Sequence, residues 1–230
     1  MALLLVVTNC AEISSIKHKT GWYLPEVAHP YNVFKEAGIS MTIVSPNGGK
    51  TPLDPGSVEA TKEDPICTAL HADQQWMEQF DKTTAISDID VAKYKVIFFA
   101  GGHGPMFDLP DCAAMNNAAA KIFENGGIVA GVCHGVVGLL NVKLPNGEWL
   151  VKGHKVTSFT NEEEDLVKLS EAMPFMLETA LVEHGAQFDA APPFQEKVHV
   201  SDRIITGQNP ASATPMAHHI VEKMKELKFC

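Results

Sequence analysis

Four short runs rich in Val, Ile, Leu and Phe, at residues 2–7, 40–45, 95–100 and 127–132, predict an α/β fold: a doubly wound, mostly parallel sheet sandwiched by helices. Two further observations point the same way. The runs are apolar without alternating, as strands covered on both faces should be. Helical stretches at about 26–37, 72–80 and 111–124 lie between them, and regular alternation of strand and helix builds a parallel sheet.

Each element has a local reason. The opening Ala-Leu-Leu-Leu-Val-Val is read as a buried first strand, because it lacks a basic leader and is too short to span a bilayer. The helix at 26–37 stops at Gly38, which suits a left-handed cap. Segment 50–68 carries Pro52, Pro55, Gly56 and Pro65 without clean periodicity and is expected to form a small excursion near the sheet's edge. The helix at 72–80 centres on Trp76 and Met77, and the one at 111–124 ends before Gly126. Further on, residues 149–152 and 154–159 predict a hairpin around Gly153, followed by helices at about 162–171 and 174–184. A last strand near 203–206 leads through Gly207-Gln208-Asn209-Pro210 into a terminal helix at about 210–227, with Cys230 exposed beyond it.

Residues 1–230 read as a single domain, since no linker, repeat or low-complexity tract divides them. The net charge of -10 and pI near 5.4 argue against nucleic-acid or anionic-membrane partners and favour a small-molecule substrate. Cys10, Cys67, Cys112, Cys133 and Cys230 are odd in number and widely spaced, so neither a disulfide framework nor a zinc knuckle is suggested. The expected compartment is the reducing cytosol, with the nucleus also open to such a chain. The ten histidines form no HExxH, HxH or Cys-His ligand cluster in sequence, so no metal and no cofactor are expected.

Chemistry concentrates at Gly131-Val132-Cys133-His134-Gly135, between an apolar strand and an apolar helix start. A nucleophile on a sharp strand-to-helix turn needs small neighbours where backbones crowd. Cys133 is therefore expected to sit strained and exposed, with the following helix start favouring its thiolate. His134 can act as general base and acid. Loops leaving the carboxyl ends of the other strands would join it: the stretch to Glu26, Gly101-Gly102-His103-Gly104, and Phe159-Thr160 with Glu162, Glu163 and Glu164. The Gly102 and His134 amides are candidates to hold an oxyanion, with His103 beside them. Any acid of the triplet could orient His134, although acids are also at home on a helix N-terminus.

These residues resemble the ThiJ/PfpI superfamily and, within it, the heat-shock-type branch of glutathione-independent glyoxalases, or glyoxalase III. The matching motifs are Pro-Glu-Val-Ala-His-Pro (25–30), Ala-Gly-Gly-His-Gly (100–104) with Phe107-Asp108, Val-Cys-His-Gly (132–135), Ser-Phe-Thr-Asn-Glu-Glu-Glu (158–164) and Thr-Gly-Gln-Asn-Pro-Ala-Ser-Ala (206–213). Val136 stands where other members often carry proline. The resemblance implies a flavodoxin-like, class I glutamine-amidotransferase-like fold and a homodimer. It implies Cys133 as nucleophile, His134 as its partner, Glu164 as the acid paired with that histidine, and Glu26 as a buried acid at the thiol. The implied activity is conversion of methylglyoxal to D-lactate through a Cys133 hemithioacetal, without glutathione or metal. A stress-response chaperone, protein deglycase or redox sensor using the same cysteine is the alternative, with a cysteine peptidase behind it.

Overall fold

In the computed structural model, which describes residues 2–229, the chain opens with β1 (Ala2–Val6) in the interior of the sheet. A small hairpin (Glu12–Ile13 with His18–Lys19) leads to α1 (Leu24–Glu36) and β2 (Ser40–Ser45). There follow α2 (Pro55–Ala60), α3 (Pro65–Ala72), β3 (Thr84–Ala85), β4 (Val96–Phe99), α4 (Ala113–Glu124) and β5 (Ile128–Val132). The rest comprises α5 (Asn161–Leu166), α6 (Leu177–Glu183), β6 (Val198–Ser201), β7 (Ile204–Gly207) and α7 (Ala213–Glu226). The seven strands run in the order β6-β7-β5-β4-β1-β2-β3, and every pair is parallel except β6 with β7.

Successive strand residues point to opposite faces, and both faces here are covered. Leu3, Leu5, Phe98, Ala130 and Val132 pack with α1, α3 and α7, whereas Leu4, Val6, Ile97, Phe99 and Val129 pack with α4 and α6. That is why the runs read as continuously apolar. Among the described residues, no helix is long and apolar enough to cross a membrane.

The structure corrects three expectations and adds one strand. Residues 149–159 do not form a hairpin: Leu150 and Val151 are both buried, Trp149 stacks on His184 at 4.1 Å, and Lys155–Val156 pairs in parallel with Gln187–Phe188. Consecutive buried side chains cannot belong to a half-exposed strand. The segment at 50–68 forms α2 and α3, each started by an Asp-Pro pair whose aspartate (Asp54, Asp64) accepts from the first-turn amides, and α3 packs on α1 rather than at the edge. The helix expected at 72–80 is broken at Asp73, whose carboxylate accepts from Trp76 N–H and starts a new turn, Gln74–Met77. The edge strand β6 was not anticipated; it turns into β7 through Asp202 in the left-handed region (φ 56°). Cys230 lies outside the described residues.

Candidate active site

At the end of β5 the backbone leaves an extended Val132 (φ -127°, ψ 144°) and enters Cys133 at φ 56°. A side chain with a Cβ in that region costs of order 1–3 kcal/mol and persists only where the surroundings enforce it. Here they do. A Cβ at Gly135 would lie 2.4 Å from the Phe99 carbonyl, and one at Gly101 would lie 3.0 Å from Cys133 Cβ and 2.4 Å from Glu26 Oε2. Only glycine lets β4, β5 and the turn approach so closely.

The expected exposure of Cys133 is not found: the residue is buried, at 4 % exposure. The turn after it is 3₁₀ (Cys133–Val136) and continues for a single α-helical turn (Val137–Leu140), so little dipole is available. Burial first, and then the Glu26 carboxylate, push the thiol well above its ordinary value; the His134 amide pulls it partly back. The resting group is a thiol, not a thiolate.

His134 Nδ1 lies 3.4 Å from Cys133 Sγ, and His134 Nε2 lies 2.6 Å from Glu164 Oε2. The second Glu164 oxygen is 2.9 Å from His103 Nε2, and the two imidazoles lie 4.2 Å apart, tilted by 41°. Burial alone would raise Glu164, but hydrogen bonds from His103 and His134 outweigh it and hold the carboxyl at about 2. Burial, helped by His103, lowers His134 to about 4. A neutral imidazole facing an ionised carboxylate must carry its proton on Nε2. Nδ1 is then a bare acceptor aimed at the thiol.

Of the three acids left open by sequence, Glu162 is exposed and Glu163 is the third residue of a capping box with Thr160. Glu164 alone reaches His134. Glu26 is not a surface acid on the first turn of α1. It is fully buried, its Oε2 accepts from Gly101 N–H at 2.8 Å, its Oε1 has no hydrogen-bond partner, and its carboxyl group interacts with the Cys133 thiol. Burial pushes it up to about 8, so at neutral pH it is a carboxylic acid able to donate.

Cys133, His134, Glu26, His103 and Gly102 (φ 96°) border one cavity of about 150 Å³. Tyr23, Phe159, Val167, Phe194 and Pro210 complete its lining; of these the sequence pointed to the site only for Phe159, as the start of the segment that carries the glutamates. Phe194, at φ 61°, follows two prolines in a stretch with no periodic signal. The fold also juxtaposes metal-ligating types that the sequence separates. Donor atoms of His103, His134 and Glu164 lie within 4.8 Å of one another, as do those of His29, Asp64 and Cys67 on α1 and at the start of α3.

Comparison with known proteins places this geometry in context. A glutathione-independent glyoxalase of Schizosaccharomyces pombe is 33% identical over 89% of this chain and 89% of its own. The Rapid Encystment Protein 24 kDa of Francisella tularensis superposes with a TM-score of 0.93 at 37% identity, covering 97% of this chain and 98% of that one. Glyoxalase III from Candida albicans superposes with a TM-score of 0.89 at 28% identity, covering 97% of each. The DJ-1/PfpI family model matches residues 20–223. With the elbow cysteine, its histidine and the sheet that carries them, the chain belongs to the DJ-1/PfpI family.

Proposed function

We propose that this protein is a glutathione-independent glyoxalase that converts methylglyoxal and water to D-lactate at Cys133. The observation that carries the reading is the unbroken contact from Cys133 Sγ through His134 to Glu164, with the fully buried Glu26 carboxyl group interacting with the same thiol. As the thiol sulfur attacks the aldehyde carbon, its proton passes to His134 Nδ1 and on to the new hydroxyl, giving a hemithioacetal. The same nitrogen removes the C1 hydrogen to form an enediol and returns a proton to C2, leaving a lactoyl thioester. C1 is thereby oxidised and C2 reduced, so no external redox partner is required. Water then cleaves the thioester and restores the thiol.

Glu164 keeps His134 in the working tautomer, and the Gly102 and His134 amides are the donors for oxygen as it gains charge. A redox-sensor role fits less well, because sensing thiols are accessible and acidic whereas Cys133 is buried and held as a thiol. We place the protein in the cytosol as a homodimer, which light scattering can test. The deciding assay follows D-lactate from methylglyoxal with purified protein and no glutathione: steady production supports the reading, and its absence removes it.

A further inference from the structure

The buried carboxylate of Glu163 has no part in the proton path just described, yet it is fully buried and makes no ion pair among the described residues. Its Oε2 accepts from Thr160 N–H at 2.9 Å; its Oε1 accepts from Phe194 N–H and from Asn209 Nδ2, both at 2.8 Å. Asn209 Nδ2 also reaches the Gln195 carbonyl at 2.8 Å. Three separate segments therefore meet on one side chain. Two of them roof the cavity, through Phe194 and through Pro210, which follows Asn209.

Phe194 is a half-exposed aromatic in the left-handed region. The backbone strain would be relieved if the loop swung outward, at the cost of exposing more of the ring. What opposes that is a pair of partly buried hydrogen bonds, from Phe194 N–H to Glu163 Oε1 and from Asn209 Nδ2 to the Gln195 carbonyl. We propose that Glu163 is the positioning residue of this roof, and that Phe194, held by it, limits the aldehydes reaching Cys133 to those with a small substituent. The substrate wording rests on the glyoxalase reading; the steric part does not.

Two readouts separate them. Cys133 is alkylated with N-methylmaleimide and with N-phenylmaleimide, and modification is followed on the Cys133 peptide by mass spectrometry. The ratio of the two rates cancels the thiolate fraction and reports access alone. In parallel, kcat/KM is compared for methylglyoxal and phenylglyoxal. Glu163→Ala should raise the phenyl-to-methyl ratio about tenfold, the scale of one lost hydrogen bond, and Phe194→Ala, which keeps the backbone N–H but removes the ring from the cavity lining, should raise it at least as much. Glu163→Gln should keep the wild-type ratio, because its carbonyl oxygen can still serve Phe194 and Asn209, while its amide faces Thr160 N–H and lowers the Tm.

Phe194 is half exposed, so its alanine variant should fold even if Glu163→Ala does not. An unchanged maleimide ratio in Phe194→Ala overturns the roof, and a folded Glu163→Ala with wild-type ratios overturns the positioning role. Glutamine behaving like alanine overturns it too, since the acceptor geometry would then not matter. Relaxed maleimide ratios without any aldehyde turnover would leave the roof standing and remove the glyoxalase reading instead.

Discussion

Cys133→Ala should abolish D-lactate formation, while Cys10→Ala and Cys112→Ala keep it, because neither of those thiols borders the cavity. Loss in the latter pair would sink the assignment of the nucleophile. Glu164→Gln is expected to lower kcat by about 10²–10⁴, since a glutamine amide can donate to His134 Nε2 and force the proton onto Nδ1. Intact-protein mass spectrometry should then show little hemithioacetal. The pH dependence of kcat/KM follows from two shifted groups. His134 must be neutral, which holds above about 4, and Glu26 must be protonated, which holds below about 8. A bell with those limbs is expected, and Glu26→Gln should remove only the upper one. Cys133 and His134 were legible because the flanking glycines and the strand-to-helix change are local signals. Exposure was not. Whether a turn projects into solvent or lies under Phe159 and Phe194 depends on loops distant in sequence, and burial then overturned the expected thiolate.

Elements were readable where their cause was local. β1, β2, β4 and β5 coincide with the apolar runs because both sheet faces demand apolar residues. The Lys155–Val156 ladder was hidden because its partner, Gln187–Phe188, lies far downstream and is joined in parallel. Asp-Pro pairs before α2 and α3 were a local signal that went unread. Asp64 takes amides of Ile66 and Cys67 on one oxygen and His29 Nε2 on the other at 2.8 Å, fastening α3 to α1. Asp64→Ala should therefore cost about 1–2 kcal/mol in urea unfolding with kcat unchanged; a parallel fall in kcat would show that α3 also shapes the site. Gly135→Ala belongs to the same scale. Its Cβ would meet the Phe99 carbonyl, so Tm and activity should fall together, by about 1–3 kcal/mol in stability.

For the molecule as a whole, Glu26 makes stability depend on pH in an unusual direction. Its carboxyl titrates near 4.5 when unfolded and about 8 when folded, so the native state binds the extra proton between those values. Stability from this group is complete below 4.5 and is lost as pH rises through 8, by up to about 5 kcal/mol. His134 acts oppositely, adding stability as pH rises from about 4 to 6.5. Thermal melts should show Glu26→Gln gaining on wild type as pH rises from 5 to 9; parallel curves would mean that Glu26 is solvated. The doubly wound class was legible because alternation of strand and helix is a whole-chain pattern, whereas the face each helix covers was not. That hidden fact bears on synthesis. α7 lies beside α1 on the face that also carries Leu3, Leu5 and Phe98. A nascent chain emerging from the ribosome thus cannot seal this core until residues 213–226 have been made, and the half-covered face stays available to chaperones throughout elongation. Arrested nascent chains that stop before residue 213 should be captured by a general chaperone, and full-length released chains should not.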